Sequence, residues 1–540
     1  MRCTLLAVLW LAGLGAAANP IDPNSMSETV KILASDEFQG RAPGTQGEAK
    51  TVDYLIGRFR EAGLQPAGVN GGWTQKVPLL KTQIGPDPVL SIAALQLRQD
   101  QDIEISTRSP ADKIEIENAP LVFVGYGVFA PERGWDDFKG VDLKGKVPVF
   151  LVNDPDFEAQ PGEPVYGKFG GQAMTYYGRW TYKFEEAARR GAAAAIIIHE
   201  TAPAAYGWST VAAHQGEAYD ILRAADDPQP LPLEAWMQRE VAANLFKAAG
   251  LDFAALKKSA RSPDFRPVPL GEAKFSAKAQ VTHMVVESHN VLGKIEGAKR
   301  PDETVVYGAH WDAYGIGADN AIRRGAADDG TGVAGVIEIA KLFAKGPKPQ
   351  RTILFALWTA EEQNLLGSES YAAHPLYPLA KMAANYTLDT LETAGKSHDV
   401  VLVGAGQNSL ETDLAKAAKK QHRTVTPDAH PEKGLFYRAD HFSFAKRGVP
   451  TLLIMALGGA YDLVDGGRDA GNRWVNDYTA NCYHKACDAW SADWDLSGAA
   501  QDVELIYDMG RDLANSKRWP NWSRNSEFIG IREESKAARH

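Results

Sequence analysis

Residues 304–312 read TVVYGAHWD, and residues 332–345 read GVAGVIEIAKLFAK. The first is a short apolar run ending in polar residues, which is typical of a buried strand, and the second has the spacing of a buried helix. Strand patterns recur at 352–360 (TILFALWTA), 386–390 (YTLDT) and 449–457 (VPTLLIMAL), and helix patterns recur at 409–421 and 497–515. This alternation predicts an α/β fold of three layers, with a mostly parallel central sheet and helices on both faces.

A different sequence pattern precedes this region. The runs LVFVGYGV (121–128) and GKVPVFLV (145–152) predict short buried strands, and 183–200 predicts a helix, a glycine stop at Gly191 and a strand. No titratable cluster with ligand spacing occurs there, so we expect an inserted β-rich α/β unit with an accessory role. The predicted domains are a catalytic domain over 19–115 and 280–540, and an inserted domain over 116–279.

The composition excludes several classes of protein. The chain has 540 residues, with 58 Lys and Arg against 68 Asp and Glu, which gives a net charge of −10. A nucleic-acid binder usually shows a basic balance, so we expect no nucleic-acid partner. Three cysteines are too few for a disulfide-dense scaffold.

The N-terminus has the pattern of a secretory signal peptide. Residues 1–18 read MRCTLLAVLWLAGLGAAA, with Arg2, an apolar core from Leu5 to Leu14 and an alanine cleavage motif before Asn19. An apolar run of about ten residues is too short to cross a ~30 Å hydrocarbon core as a helix. We therefore expect export to the periplasm or the extracellular space, and no membrane span.

Polar residues follow the ends of successive predicted strands. They are His310 and Asp312, Asp328 and Asp329, Glu361 and Glu362, Asp389, and later His484 with Asp488. Any one of them alone has an ordinary explanation, such as a helix cap, a solvated side chain or a hydrogen-bonded histidine. Together they offer imidazole and carboxylate ligands, which Zn²⁺ accepts, at the sheet edge where α/β proteins bind ligands. The absence of cysteine among them favours a catalytic zinc site.

Five segments carry a resemblance to a known family. GAHWD, AADDGTGVAGVIEIA, WTAEEQNLLGS, TLD and YHKACD resemble the motifs of the two-zinc aminopeptidases, metallopeptidase family 28. That family includes bacterial leucyl aminopeptidases, the peptidase domain of glutamate carboxypeptidase and glutaminyl cyclases. The block from Leu121 to Glu200 resembles the protease-associated domain that is often inserted in these enzymes.

The resemblance implies a secreted zinc exopeptidase, an aminopeptidase acting on peptides with a free N-terminus. It implies two zinc ions sharing a water that a glutamate deprotonates. By position, His310 and Asp389 bind one ion, Glu362 and His484 bind the other, Asp328 bridges both, and Glu361 is the general base. Asp312 is expected to orient His310, and Asp488 to act similarly near His484.

Alternatives remain open at this point. His441, in YRADHFSF, is a second candidate for the histidine ligand. The same metal core supports carboxypeptidase or glutaminyl-cyclase chemistry, and a carboxypeptidase would need cations such as Arg323, Arg324 or Arg438. A third hypothesis is a non-catalytic, receptor-like binding protein.

Two of the three cysteines flank a proposed ligand. Cys3 would leave with the signal peptide, whereas Cys482 and Cys487 bracket His484. In an oxidising compartment they could form a disulfide that closes a small loop around the histidine. The alternative is a pair of free buried thiols.

Overall fold

The computed structural model describes residues 21–539. The predicted signal peptide, residues 1–18, lies outside the described residues. Within 21–539, no helix is both long enough and apolar enough to cross a membrane.

Helices and strands alternate along most of the chain. The helices are α1 (Pro23–Leu33), α2 (Gln46–Glu61), α3 (Trp180–Arg189), α4 (Thr201–Ala204), α5 (Trp208–Ala212), α6 (Arg239–Ala248), α7 (Phe253–Ser259), α8 (Thr331–Lys345), α9 (Leu366–Ala373), α10 (Leu410–Lys420), α11 (His441–Ala445), α12 (Gly467–Asp477), α13 (Ser497–Asn515) and α14 (Ile529–Glu534). The strands are β1 (Gln65–Pro66), β2 (Thr74–Ile84), β3 (Val89–Ile92), β4 (Leu95–Leu97), β5 (Ile103–Ser106), β6 (Lys113–Phe123), β7 (Phe129–Ala130), β8 (Trp135–Asp136), β9 (Val147–Leu151), β10 (Ala195–His199), β11 (Glu217–Ile221), β12 (Glu234–Gln238), β13 (Val268–Ile295), β14 (Arg300–His310), β15 (Gly315–Ile316), β16 (Ile322–Arg323), β17 (Arg351–Trp358), β18 (Met382–Leu388), β19 (Asp399–Leu402), β20 (Thr424–Pro427) and β21 (Thr451–Ile454).

The first sheet has the order β11-β2-β13-β17-β14-β18-β21. Its strands β17, β14, β18 and β21 are parallel, and the strands on the other side are antiparallel. Every residue of β17 is buried, because helices cover both faces of this half. Apolar residues of α1, α8, α10 and α13 pack on one face, whereas Tyr371 of α9 and Phe444 of α11 pack on the other. The three-layer α/β prediction is confirmed.

A second sheet forms the core of the inserted unit, with β6, β9, β10 and β12 parallel and β5 antiparallel to β12. Strand β13 has 28 residues and belongs to both sheets. Its residues 268–280 pair with β3 and β6, and its residues 281–291 pair with β2. The second sheet also takes strands from 89–106, ahead of the predicted boundary at residue 116, and β11 lies in the first sheet. The domain assignment itself stays a prediction.

A partly buried ion pair and a hydrogen bond also join the two units. Lys446 Nζ lies 3.3 Å from a carboxylate oxygen of Glu185 on α3 and 3.3 Å from one of Glu369 on α9. Near the C-terminus, Glu527 accepts a hydrogen bond from the backbone N–H of Tyr176 at 3.0 Å. The inserted unit therefore contacts the first sheet's unit through side chains as well as through the shared strand.

Candidate metal centre

The parallel strands bring the candidate residues to one edge of the first sheet. His310 is the last residue of β14, Asp389 directly follows β18, and Glu361 and Glu362 lie shortly after β17. His310 is paired in register with Trp358 of β17, and Gly308 with Thr387 of β18, so these three strand ends are neighbours.

Two further side chains reach the same place from loops. Asp328 lies in the helical turn Ala326–Gly330 that leads into α8, and His484 follows the turn Tyr478–Cys482. His484 has φ +62°, and Ala360 and Thr390 beside the strand ends also have positive φ. Non-glycine residues in this conformation are uncommon and concentrate at functional sites.

The six side chains form two clusters of potential metal ligands. The first is His310, Glu361 and Asp389, and the second is Asp328, Glu362 and His484; within each, the ligand atoms lie within 4.8 Å of one another. Asp328 joins the clusters: Oδ1 lies 3.1 Å from Nε2 of His310, and Oδ2 lies 3.3 Å from Nε2 of His484. One carboxylate thus faces both imidazoles, as a ligand bridging two ions would.

The distances inside each cluster differ. In the second cluster, Nε2 of His484 lies 3.2 Å from Oε2 of Glu362. In the first, Nε2 of His310 lies 3.8 Å from Oε2 of Glu361 and 4.0 Å from Oδ1 of Asp389. Both glutamates therefore border the centre, Glu361 on the side of His310 and Glu362 on the side of His484.

The centre concentrates negative charge in a buried place. Burial raises the pKa of Asp389 to about 7, helped by the charge of Asp328. Burial also raises the pKa values of Glu361 and Glu362 well above their usual range, and neighbouring carboxylates add to both shifts. Carboxylates buried so close together are costly unless a cation neutralises them.

The donor set fits divalent cations. Each cluster combines one imidazole with two carboxylates, and these are nitrogen and oxygen ligands that Zn²⁺ accepts in catalytic sites. Asp328 can serve both clusters because its two oxygens point to different histidines. The residues present therefore fit a pair of metal ions.

Asp312 supports the glutamates more directly than it supports His310. Its carboxylate accepts hydrogen bonds from the backbone N–H groups of Glu361 (3.0 Å) and Glu362 (3.4 Å). Nδ1 of His310 is nearer to the carbonyl oxygen of Asp312, at 3.2 Å, than to its carboxylate, at 3.7 Å. The residue thus contacts both neighbouring strand ends, and the backbone carbonyl is the partner of the imidazole.

Asp488 does not lie where the sequence analysis expected it to act. Its carboxylate accepts hydrogen bonds from the backbone N–H groups of Ala327 (2.8 Å) and Asp328 (3.2 Å), and from the hydroxyl of Tyr478 (3.1 Å). It holds the turn that carries Asp328 and makes no hydrogen bond to His484 within the described chain. The loop folds back over the turn, which sequence spacing alone does not reveal.

Asp329, the second acid of the pair, has a positioning role that sequence reasoning missed. Its fully buried carboxylate accepts hydrogen bonds from the backbone N–H groups of Gly332 (2.8 Å), Thr390 (3.1 Å) and His310 (3.2 Å). One side chain therefore ties together α8 and the ends of β14 and β18. The only signal in the sequence was an acid placed just before a helix.

The sequence analysis also missed Arg41, which lies in the segment SDEFQGRAPGT, residues 35–45. The side chain is fully buried and donates to the carbonyl oxygens of Trp311 (2.7 Å), Leu33 (3.0 Å), Arg324 (2.5 Å) and Gly325 (2.7 Å). Three of these carbonyls lie at the two ends of the loop 311–325, and the fourth, that of Leu33, lies at the end of α1. The segment is thus a scaffold for the 311–325 loop.

His441 belongs to neither cluster. Its ring is fully buried, packs edge-on against Phe436 at 4.7 Å, and has a pKa that burial lowers to about 3. The geometry therefore favours His484 as the histidine of the second cluster.

The two late cysteines lie at bonding distance and form a disulfide, with Cα atoms 5.0 Å apart. The bond closes the loop that carries His484. This is the arrangement expected from the cysteine spacing, and free thiols are not what the structure shows.

The clusters open into a cavity of about 1510 Å³ between the two units. Asp328, Glu361 and Asp389 lie at its floor, and the inserted unit contributes Arg179 and Tyr206 to its wall. The inserted unit therefore forms part of the wall of the cavity that holds the clusters.

Of the three arginines considered for carboxylate binding, one lines this cavity. Arg323 pairs with Asp319, and Arg324 pairs with Asp36, in partly exposed positions. Arg438 lines the cavity, and so does Arg179 of the inserted unit, which sequence reasoning missed.

Comparison with known proteins places the centre in a matched segment. Residues 290–507 match the sequence model of peptidase family M28. The chain is 34% identical over 127 residues to a probable glutamate carboxypeptidase of Arabidopsis thaliana (23% of this chain, 18% of the relative). It is 38% identical over 104 residues to an aminopeptidase of Rattus norvegicus (18% and 13%), and 34% identical over 126 residues to carboxypeptidase Q of Homo sapiens (23% and 24%).

The chain thus covers less than a quarter of the length of each of these relatives. Among solved structures, it is similar to an aminopeptidase from Aneurinibacillus sp. strain AM-1, with 19% identity, a TM-score of 0.48, and coverage of 91% of this chain and 94% of the other.

Proposed function

We propose, on the premise that residues 290–507 form a peptidase M28 catalytic region, that the chain is an exported zinc-dependent exopeptidase. We further propose that it is an aminopeptidase acting on peptides with a free N-terminus. The observation that carries the proposal is the position of Asp328, whose two carboxylate oxygens face two imidazoles from opposite sides.

Five residues would hold two zinc ions: His310, Asp328, Glu362, Asp389 and His484. Such an ion pair, when bound, lowers the pKa of a water and polarises a carbonyl. The side chains and backbone of the protein position these ligands. Asp328 fixes the spacing between the clusters, while Asp329 and Asp488 fix the backbone around it.

Glu361 is the proposed general base. Its carboxylate borders the first cluster, and burial together with neighbouring carboxylates raises its pKa, so it holds a proton readily. A base of this kind takes a proton from the attacking water and returns it to the leaving amine. The backbone N–H groups of Glu361 and Glu362 both donate to the Asp312 carboxylate, which fixes the backbone that carries the two glutamates. We place the substrate's free amine beside Asp389.

A set of aminoacyl p-nitroanilides, assayed with and without a zinc chelator, tests the proposal. We expect hydrolysis to stop on metal removal, to return with zinc, and to fail with N-acetylated substrates. Glu361→Gln should lower kcat by about 10²- to 10⁴-fold with unchanged metal content, whereas Asp328→Asn should lower metal content. Hydrolysis by a fully metal-free protein would refute the proposal.

A specific observation also favours recognition of a substrate carboxylate, which keeps carboxypeptidase action as a second candidate. Within residues 21–539, the guanidinium groups of Arg179 and Arg438 have no ion-pair partner, yet both line the cavity. Desolvation, together with the charge of Arg438, lowers the pKa of Arg179 to about 10. Two unpaired cations at one wall favour a bound anion.

Matched peptides distinguish the two activities. An aminopeptidase cleaves peptides with a free N-terminus, and a carboxypeptidase cleaves N-acetylated peptides with a free C-terminus. If the arginines bind a carboxylate, C-terminal amidation should raise KM for short peptides, and Arg179→Gln should abolish that difference. Arg239→Gln is the control, because Arg239 is half-exposed on the same unit and pairs with Glu200 and Glu240.

Export is proposed from the N-terminal pattern. N-terminal sequencing of protein recovered outside the cytoplasm should begin at Asn19. A chain that retains Met1 and stays inside the cell would contradict this part of the proposal.

A further inference from the structure

Tyr314 contacts the histidine of the second cluster from the side opposite the proposed metal. It lies four residues beyond the end of β14 and lines the cavity wall. Its hydroxyl oxygen is 3.1 Å from Nδ1 of His484, and the two ring centroids are 4.8 Å apart. The phenol is the hydrogen-bond partner of that ring nitrogen in the described part of the chain.

The two ring nitrogens of His484 have different surroundings. Nε2 faces Asp328 at 3.3 Å and Glu362 at 3.2 Å, so this is the nitrogen that can bind a metal. A bound metal takes the lone pair of Nε2, so the ring proton must lie on Nδ1. Nδ1–H then donates to the Tyr314 oxygen.

In the first cluster, the corresponding ring nitrogen has a backbone partner in place of a phenol. Nδ1 of His310 faces the carbonyl oxygen of Asp312 at 3.2 Å, and the His310 side chain is 1% exposed. The His484 side chain is 30% exposed and lies on a loop, so it depends more on a partner that fixes its ring. The difference predicts that loss of the Tyr314 hydroxyl affects one cluster only.

We propose that Tyr314 is a positioning residue for the second metal cluster: it fixes the tautomer and ring orientation of His484. This inference rests on the proposed function, which assigns a metal to that cluster. Hydrogen-bond partners of metal ligands typically change metal affinity by about 10- to 100-fold when removed.

The test is a zinc titration of the metal-free full chain in competition with a chelator dye. In Tyr314→Phe, which keeps the ring, one equivalent should bind within about twofold of wild type and the other about 10- to 100-fold more weakly. Tyr166→Phe is the control, because Tyr166 is 56% exposed and away from the clusters. It should bind both equivalents as wild type does.

Each outcome separates the hypotheses. Two equivalents bound as in wild type would overturn the role of Tyr314 and leave the proposed function standing. Equal weakening of both equivalents, with a lower melting temperature, would show a merely structural role. A wild-type chain that binds no zinc would overturn the proposed function, and the inference with it.

Discussion

Removing the disulfide between Cys482 and Cys487 should weaken the second cluster selectively. The bond closes a loop of six residues, Cys482 to Cys487, with His484 inside it. Closing a loop of that length removes about 7 cal/mol/K of chain entropy, which is about 2.2 kcal/mol at 25 °C. If metal binding must order the opened loop, the free energy of binding of one zinc ion becomes less favourable by this whole amount. That corresponds to roughly 40-fold weaker binding, since about 1.4 kcal/mol is a factor of ten.

The assay uses the double variant Cys482→Ser/Cys487→Ser. Its second zinc equivalent should bind up to about 40-fold more weakly by chelator competition, and its first equivalent should be unchanged. Reductant should weaken wild-type binding in the same way and leave the double variant unaffected, which separates loop ordering from competition by free thiols. Equal affinities with and without the bond would refute the reasoning, because the loop would then hold His484 by its other contacts alone.

Three further predictions follow from the buried groups around the centre. In the metal-free protein, the carboxyl groups of Asp389 and Asp488 have pKa values raised from 3.8 to about 7, chiefly by burial. The folded state therefore binds more protons than the unfolded state between about pH 4 and 7. Because of this, the melting temperature should fall as the pH rises through that window. Bound zinc should reduce this pH dependence. Arg41→Met should lower the free energy of unfolding by about 3–5 kcal/mol, because it leaves buried carbonyl oxygens without a hydrogen-bond donor. Denaturant unfolding measures this loss, and a loss below about 1 kcal/mol would contradict the prediction. Gly332→Ala should reduce zinc content, because a Cβ atom there would lie 2.3 Å from the Asp329 carboxylate; wild-type zinc content by elemental analysis would argue against it.

The predictable part of the fold is the part whose burial follows one regular pattern. The helix predicted over 497–515 coincides with α13, because its apolar residues recur with helical spacing. The strand pattern at 304–312 falls on β14, because a continuous apolar run marks it. Strand β13 was not predicted. It alternates buried and exposed residues and passes between two sheets, so no single periodicity marks its 28 residues.

The ligand candidates were predictable because they follow strand ends. Their supporting residues were not, because they act across long sequence separations. Arg41 reaches the carbonyl of Trp311, and Tyr314 reaches His484, 170 residues later. The misplacement of Asp488 has the same cause, since the loop's path over Asp328 is set by tertiary packing.

Strand β13 has a consequence for how this architecture can change. One uninterrupted strand runs through both sheets. The register of β13 therefore links the inserted unit to the first sheet. Inserting one residue near position 280 would turn every later side chain of the strand to the opposite face. Point substitutions in the inserted unit leave the register of β13 unchanged. Such changes can therefore alter the wall of the cavity while the two clusters stay the same.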